Sequence, residues 1–343
     1  MSAAIEGEPR AARLHREAIV IDGQGVRLED PPSLAGGATA VVVTLAWKPI
    51  HDTTWALRRV SEQLDFIDYY ADRLSLIRTT ADIERAKSEG KQGVIVNFEH
   101  SAPVGSDLSL VRTFYELGVR SMQLTYNDRT PFGDGCLEPT DLGLTSFGRQ
   151  LIRSMERCGM LVDLSHVGRR TGMDALAYAR RPMVFGHRNP AAMFDSPQNI
   201  TDDEIRACAA TGGVIGITAT SSFYGPANAP RPTVADMVSH VSYVADLVGI
   251  EHVGVAYEAP AETSAFRMSA RPDRDRDPVA TRSASERRLA GAESRADLPK
   301  LTAELVRRGF SDEDVRAVLG ANWMRVFAEA WTPRPPRASV ATF

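Results

Sequence analysis

The most regular feature of the sequence is an alternation between short apolar runs and segments in which apolar residues recur every three or four positions. Eight apolar runs have the length of strands, and they cover residues 18–23, 40–47, 93–98, 121–126, 160–164, 183–185, 213–218 and 252–257. Strands and helices that alternate in this number are typical of a (β/α)8 barrel of the TIM type. We therefore predict an α/β fold with eight parallel strands in one closed barrel.

Each apolar run is expected to supply one strand. The residues expected on the eight separate strands are Ala18, Val41, Val94, Met122, Leu161, Met183, Val214 and Val253. Helical periodicity predicts helices at about 52–74, 107–118, 145–158, 169–179 and 234–248. Thr145 or Ser146 can cap the third of these helices. Thr201, with Glu204 three residues later, forms the capping box of another.

Composition is that of one folded domain. The chain has 343 residues, of which 43% are hydrophobic, and its formal net charge is −4. This length suits a single barrel domain over residues 1–343. The charge gives no reason to expect binding to nucleic acid or to a membrane surface. The three cysteines are widely spaced and form no CxxC pair, so neither a zinc ribbon nor a disulfide framework is expected.

The sequence shows no targeting signal and no nucleotide motif. The charged N-terminal residues lack the apolar core of a signal peptide. The sequence contains no run of about 18 apolar residues that could span a membrane. We therefore expect a cytoplasmic protein. No GxGxxG or GxxxxGK[ST] turn follows a strand, so binding of a nucleotide phosphate is not supported.

The segment 266–299 differs in kind from the rest of the chain. It is rich in Arg, Asp, Ser and Ala and has few large apolar residues. We interpret it as a polar, mobile excursion after the eighth strand, with a solvated helix as the alternative. Closing helices are expected at 301–331, with breaks at Gly309 and Gly320.

Seven polar side chains lie just past the ends of predicted strands. They are Gln24, Glu99, Tyr126, Asn127, His166, His187 and Glu258. Because parallel barrels build their active sites at the carboxyl ends of the strands, we expect these side chains to converge. The alternative is that the histidines only cap buried strands and that Glu99 is a solvated loop acid.

Three of these residues have the composition of a metal site. Glu99, His166 and His187 would give a catalytic zinc ion three protein ligands and an open fourth position. The same set matches the two-histidine, one-carboxylate ligands of non-heme iron. Glu258 is the remaining acid at a strand end, and it could move protons or join the metal.

Four longer segments of the sequence match one known family. They are GVRSMQLTYN at 118–127, GLTSFGRQLIRSMERCGMLVDLSHV at 143–167, PMVFGHRNP at 182–190 and GFSDEDVRAVLGANWMRVF at 309–327. In these segments the chain resembles the membrane (renal) dipeptidases and their bacterial relatives, peptidase family M19. The resemblance covers nearly the whole chain apart from 266–299. It implies a (β/α)8 barrel of amidohydrolase type, two zinc ions, and metallopeptidase activity on dipeptides, including some with a C-terminal D-residue.

The resemblance also assigns metal ligands. The family's metal-bridging glutamate corresponds to Glu99, and its two histidines on the second zinc correspond to His166 and His187. The family holds its first zinc with the histidine and the second aspartate of a DGHxD motif, where this chain has Gln24 and Val26. Because glutamine is a poor zinc ligand and valine is none, we expect one metal ion rather than two.

Other positions also depart from the family's pattern. Tyr126 stands in place of a substrate-handling histidine, and Glu258 in place of the catalytic aspartate. Gln198 stands in place of the arginine that holds the substrate's carboxylate. Tyr126 and its neighbour Asn127, together with Gln198, are expected to contact substrate. Arg188 and Arg129 are the candidates for replacing the lost arginine.

Three functions stay open at this stage, because a fold does not by itself determine a function. The first is a dipeptidase-like hydrolase of an amide or dipeptide-like small molecule, with Glu99 and Glu258 catalytic and one zinc bound. The second is a catalytically inactive dipeptidase-fold protein with a binding or assembly role. The third is a mononuclear non-heme iron enzyme. A small-molecule substrate is the expected partner, and a homodimer is left open.

Overall fold

The computed structural model describes residues 8–25, 37–258 and 284–333. Its strands are β1 (Ile21–Gly25), β2 (Ala40–Ala46), β3 (Leu74–Leu76), β4 (Gln92–Phe98), β5 (Val119–Gln123), β6 (Leu161–Asp163), β7 (Ile215–Thr218) and β8 (Val253–Ala256). Its α-helices are α1 (Arg10–Glu17), α2 (Thr53–Tyr69), α3 (Thr80–Glu89), α4 (Leu110–Glu116), α5 (Ser146–Cys158), α6 (Arg169–Tyr178), α7 (Asp202–Ala210), α8 (Val234–Val248), α9 (Leu298–Arg307), α10 (Asp312–Arg316) and α11 (Asn322–Ala330).

The strands form a parallel sheet that curls into a barrel. Hydrogen-bonded neighbours follow the order β1-β2-β4-β5-β6, and β7 pairs with β8. Residues 184 and 185 join these two parts, because they form parallel bridges to β6 and β7 respectively. On the opposite side, the Glu258 amide donates to the Gln24 carbonyl oxygen at 2.7 Å, which ties the end of β8 to β1. The predicted (β/α)8 fold class is confirmed.

Successive strand residues pack into two apolar clusters. Val41 and Val43 belong to a large cluster that is shared with the surrounding helices. Ala40 and Val42 belong to a second cluster, which includes Trp323 of α11. Because side chains alternate between the two faces of a strand, the sheet is covered on both faces, as parallel sheets generally are.

The strands are shorter than the apolar runs that predicted them. Five of the eight expected residues lie on strands, namely Val41, Val94, Met122, Leu161 and Val253. The prediction was wrong for Ala18, which follows α1, and for Met183 and Val214, which immediately precede the 184–185 bridge and β7. All three are buried. An apolar run indicates burial, and burial here extends beyond the residues whose backbones pair.

One strand lies outside the predicted eight. The helix predicted at 52–74 ends at Tyr69, and Leu74 belongs to β3 instead. This short strand pairs in parallel with β4, beside the main order of the barrel. The helix predicted at 107–118 is also shorter, since α4 spans Leu110–Glu116.

Helix ends follow the capping residues closely. The Thr145 hydroxyl accepts a hydrogen bond from the Gly148 amide at 2.9 Å, and Thr201 and Glu204 form a complete capping box. Gly320 lies in a π-helical turn, Ala317–Ala321, between α10 and α11. A Cβ at this position would collide with the carbonyl oxygen of Ile19, so glycine permits the C-terminal helices to pack closely against the barrel.

The described part of the predicted polar segment, residues 284–299, packs against the barrel. The Leu289 amide donates to the Ala219 carbonyl oxygen at 3.2 Å, just beyond β7. Arg295 Nε donates to Asp22 Oδ2 of β1 at 2.9 Å, and both side chains are almost fully buried. The remaining residues of the segment, 266–283, lie outside the described part of the chain.

Membrane insertion finds no support in the helices. Across residues 8–25, 37–258 and 284–333, no helix combines the length and the apolar character that crossing a bilayer requires.

We predict that Arg295→Met lowers the free energy of unfolding by about 3–5 kcal/mol, because it leaves Asp22 buried without its cation. Urea denaturation measures the change. Arg10 supplies the control, since its ion pair with Asp312 is exposed to solvent. Arg10→Met should cost at most about 1 kcal/mol. Equal losses in the two variants would show that the buried ion pair stabilises the fold no more than the exposed ion pair does.

Candidate metal centre

Five of the predicted side chains come together where the barrel strands end. Gln24 lies in β1, and Glu99 directly follows β4. His166 lies three residues after β6, and His187 follows the 184–185 bridge. Glu258 lies two residues after β8. The parallel barrel therefore places acids and histidines from distant parts of the sequence in one site.

Glu99, His166 and His187 form a compact triad. One ligand atom from each residue lies within 4.8 Å of the other two. The Nε2 atoms of the two histidines are 2.8 Å apart, and His166 Nε2 is 3.8 Å from Glu99 Oε2. Two ligands of a tetrahedral zinc ion are separated by roughly 3.3 Å when each bond is ~2.0–2.1 Å long. The observed separations bracket this value, so the triad fits one metal ion after small side-chain adjustments.

A hydrogen bond on its second ring nitrogen orients His166. Nδ1 lies 2.7 Å from Asn127 Oδ1, and because an amide oxygen can only accept, Nδ1 donates the proton. Nε2 therefore presents its lone pair to His187, which is the tautomer that metal ligation requires. The ring also stacks on Tyr126, with ring centroids 4.2 Å apart. Two predicted substrate-binding residues thus hold the His166 ring in place.

Burial sets the protonation of the triad. Desolvation, together with the charge of His187, lowers the pKa of His166 well below its usual value. Desolvation is also the largest cause that raises the pKa of Glu99 to about 8, and the neighbouring acids Glu258 and Asp163 add to the increase. The ionised form of a buried carboxyl group beside two other acids is one that a bound cation would stabilise.

Gln24 lies against the other oxygen of the Glu99 carboxyl group. Its Nε2 donates to Glu99 Oε1 and also to Thr44 Oγ1, the latter at 2.9 Å. The Thr44 hydroxyl donates to the same Glu99 oxygen at 2.6 Å. The position that corresponds to the family's first metal ligand thus holds a neutral amide whose nitrogen faces Glu99, while its oxygen has no hydrogen-bond partner among the described residues. A neutral amide is a poor zinc ligand. Val26, the second departure, lies outside the described residues.

Asp163, at the end of β6, fixes the loop that carries His187. Its Oδ1 accepts from the amide and the hydroxyl of Ser165, both at 2.8 Å, and from the Gly186 amide at 2.9 Å. The Ser165 hydroxyl in turn accepts from the His187 amide at 3.0 Å. Gly186 allows this approach, since a Cβ there would lie 2.5 Å from Asp163 Oδ2.

Glu258 faces the triad as a carboxylate. Its Oε2 accepts from the hydroxyls of Thr218 at 3.0 Å and Thr220 at 2.6 Å. Burial alone would raise the pKa of Glu258. The charges of His187 and Arg288 and the two hydroxyl groups outweigh burial, so that this pKa is lowered. The side chain can therefore accept a proton at neutral pH.

Backbone strain is concentrated at the same site. Among the described residues, the non-glycine residues with positive φ are Asn127 at 62°, His166 at 64° and Glu258 at 48°. Residues other than glycine rarely adopt this left-handed backbone conformation, and each such residue costs on the order of 1–3 kcal/mol of folding free energy. Strained residues of this kind cluster at functional sites. All three were predicted as site residues from the sequence.

Arg188 and Arg129, the candidates for replacing the family's carboxylate-binding arginine, both make contacts within the protein. Arg188 is buried, and its guanidinium donates to the carbonyl oxygens of Gln198 and, at 3.2 Å, Val167. Arg129 donates to the Asp134 carboxylate and to a loop carbonyl oxygen. The side chain of Gln198 is itself buried.

A cavity of about 400 Å³ opens at the loops around the site. Its volume is suited to a small-molecule ligand. Cys136 connects it to the triad, because Cys136 Sγ donates to the same Asn127 Oδ1 that orients His166. The lining residues are Gly135, Cys136, Glu138, Pro139, Asp141, Gly168, Arg169, Asp195, Ser196 and Pro197.

Several residues of the site were not predicted from the sequence. They are Thr44, Asp163, Ser165, Thr218, Thr220 and Arg288. A signal existed for the first two, since each is a polar residue inside an otherwise apolar run. Arg288 carried no such signal, because its segment was interpreted as polar and solvated.

Comparisons with known proteins show which chains this one is similar to. The family model described as "Membrane dipeptidase (Peptidase family M19)" matches residues 29–261 and 284–336. A curated relative, "Dipeptidase verJ" of Clonostachys rogersoniana, is 30% identical over 277 residues. The match covers 79% of this chain and 65% of the relative, so the chain spans less than two thirds of that relative's length.

Solved structures with the same fold include two bacterial proteins. An amidohydrolase from Pseudomonas aeruginosa is 28% identical, with a TM-score of 0.83 over 94% of this chain and 99% of that chain. A metallo peptidase from Rhodobacter sphaeroides, solved with a phosphinate mimic of the dipeptide L-Ala-D-Ala, is 20% identical. Its TM-score is 0.76 over 92% of this chain and all (100%) of that chain. At this lower identity, the second likeness concerns the fold alone.

We predict that Asn127→Gly weakens metal binding by about 10- to 100-fold, because His166 loses the acceptor that fixes its ring and tautomer. Glycine tolerates the positive φ at this position, so the change removes the acceptor without adding backbone strain. Competition with a chelating indicator measures the affinity. Cys136→Ser is the matched control, since it keeps a donor to Asn127 Oδ1. Unchanged affinity in Asn127→Gly would disprove the orienting role.

Proposed function

Because this chain belongs to the membrane dipeptidase family, peptidase family M19, we propose that it is a metal-dependent hydrolase of an amide bond in a dipeptide-like small molecule. The observation that carries the proposal is the buried triad of Glu99, His166 and His187. Two histidines and a carboxylate are a common ligand set for a catalytic metal ion with an open position. Two relatives, one named a dipeptidase and the other an amidohydrolase, support the same class of reaction.

The proposed cofactor is one zinc ion on this triad, with iron as the alternative. When bound, such an ion supplies Lewis-acid activation of an amide carbonyl group and of water. One ion rather than two is proposed because Gln24 donates a hydrogen bond to Glu99 at the position where the family has a ligand to its first zinc. With Gln24 and Thr44 on Oε1, Glu99 keeps its Oε2 on the side of His166.

Glu258 is the proposed proton carrier. Its carboxylate would accept a proton from the attacking water and deliver it to the leaving nitrogen as the C–N bond breaks. The hydroxyl group of water then remains on the carbonyl carbon, so hydrolysis is balanced. The two threonine hydroxyls on Glu258 Oε2 hold the carboxylate in a fixed position during both transfers.

The proposed substrate contacts are Tyr126, Asn127, Arg188 and Gln198. Tyr126 covers one face of the His166 ring and lies at the edge of the site. Arg188 is committed to main-chain carbonyl oxygens, and Gln198 has no charge, so a free carboxylate on that side would lack a cationic partner. We therefore propose that simple unblocked dipeptides are poor substrates.

We predict that protein purified with zinc contains one ion per chain and that His166→Ala contains none, because two remaining protein ligands are too few for tight binding. Elemental analysis measures both. His252→Ala is the control, since His252 bonds the Gly213 carbonyl oxygen and is not part of the triad. Iron in the purified protein would favour the redox alternative, and no metal would favour a non-catalytic role. Two ions per chain would refute the one-metal proposal.

Hydrolysis of L-Ala–D-Ala should be slow. A lost charged contact costs about 1.5–3 kcal/mol, which lowers the rate by roughly 10- to 100-fold from a typical value of ~10 per second. A triple variant, Gln24→His with Val26→Asp and Gln198→Arg, restores the family's residues and should gain zinc and dipeptidase activity. Steady-state kinetics with each protein is the measurement. An ordinary rate for the unmodified chain would contradict the prediction.

A further inference from the structure

Arg288 is directed toward the barrel mouth beside Glu258. It forms an antiparallel bridge with Thr220, in the segment that leaves β7. Residues paired in antiparallel strands direct their side chains to the same face. The Thr220 hydroxyl donates to Glu258 Oε2 at 2.6 Å, and Arg288 Nη1 donates to this hydroxyl at 2.9 Å. The guanidinium therefore lies one hydroxyl group away from the proposed proton carrier.

Most donors of this guanidinium are not used by the described part of the chain. Nη1 donates to Thr220 and, at 3.4 Å, to the Tyr257 carbonyl oxygen. Nε is buried and has no hydrogen-bond partner among the described residues. Nη2 makes no hydrogen bond to them either. Nε and Nη2 form the side of a guanidinium that binds a carboxylate through two parallel hydrogen bonds.

The charge of Arg288 also lacks a direct counter-ion. Within residues 8–25, 37–258 and 284–333, no carboxylate lies within 4.0 Å of its guanidinium. Arg295, from the same segment, differs in this respect because it pairs directly with Asp22. A partly buried cation without an anion is costly, whereas an anionic ligand would satisfy both its charge and its donors.

We propose that Arg288 binds a carboxylate group of the substrate on the β8 side of the barrel mouth. The substrate class is then an amide whose carboxylate reaches Glu258 on the β8 side. It differs from a simple dipeptide, whose carboxylate the proposed function places near the loop of Gln198. Arg288 is thereby a specificity-determining residue. The inference rests on the proposed function, because it assigns a substrate contact within the same site.

Two matched small molecules test this assignment by binding alone. N-acetylglycine carries a carboxylate, and N-acetylglycinamide is its neutral counterpart. In calorimetric titrations of the zinc-loaded full-length protein, the acid should bind about 10- to 100-fold more tightly than the amide. Arg288→Gln should remove most of this preference while amide binding and zinc content stay unchanged. Arg288→Lys should retain part of it, because lysine keeps the charge but not the two-pronged geometry.

The control removes a charge at the cavity of about 400 Å³, whose lining includes Arg169 but not Arg288. Arg169 is exposed at the rim and pairs with Asp195, so Arg169→Gln should leave the preference intact. A thermal unfolding midpoint close to that of the unmodified protein shows that Arg288→Gln is folded, and Arg288→Lys carries the test if it is not. No preference in the unmodified protein, or an undiminished preference in Arg288→Gln, would overturn the proposal.

Parallel kinetic assays separate this inference from the proposed function. If no amide is hydrolysed but carboxylate binding depends on Arg288, the proposed function fails and the anion site stands. If amides are hydrolysed at rates that do not depend on Arg288 or on a carboxylate, the anion site fails and the proposed function stands.

Discussion

The constraint on which the site depends is the burial of several carboxyl groups at one end of a parallel barrel, namely those of Asp22, Glu99, Asp163 and Glu258. Buried carboxylates are costly unless they are paired or well hydrogen-bonded. Asp22 has an arginine, Asp163 has main-chain amides and a serine hydroxyl, and Glu258 has two threonine hydroxyls. Glu99 has only neutral donors and keeps a raised pKa. A bound cation would stabilise its ionised form, and the two histidines would complete the proposed ligand set.

This arrangement of side chains comes with backbone strain at the ends of the strands. Asn127, His166 and Glu258 all follow strands, have a positive φ and contribute side chains to the site. Residues 284–299 lie beside the barrel mouth and contribute two arginines. Arg295 neutralises an acid of the chain itself, whereas Arg288 keeps donors available for a ligand. The described departures from the family's pattern thus lie in one site, for which we propose a single metal position.

Much of this architecture could be predicted from the sequence, because eight apolar runs, six of them followed by polar side chains, are typical of a barrel with its site at the strand ends. The triad could be predicted for the same reason. Strand limits such as those near Ala18 and Met183 could not, since burial and backbone pairing are different properties. Arg288 was missed because its position depends on a non-local bridge to Thr220, and composition contains no information on such pairing.

The central claim is a single metal ion held by Glu99, His166 and His187. Anomalous diffraction at the zinc edge, from crystals grown with zinc, tests it most directly. We predict one anomalous peak at about 2.0–2.2 Å from a Glu99 oxygen and from one nitrogen of each histidine, with the Gln24 amide still donating to the other Glu99 oxygen. A second peak of similar height between Gln24 and Glu99, or no peak at the triad, would contradict the account.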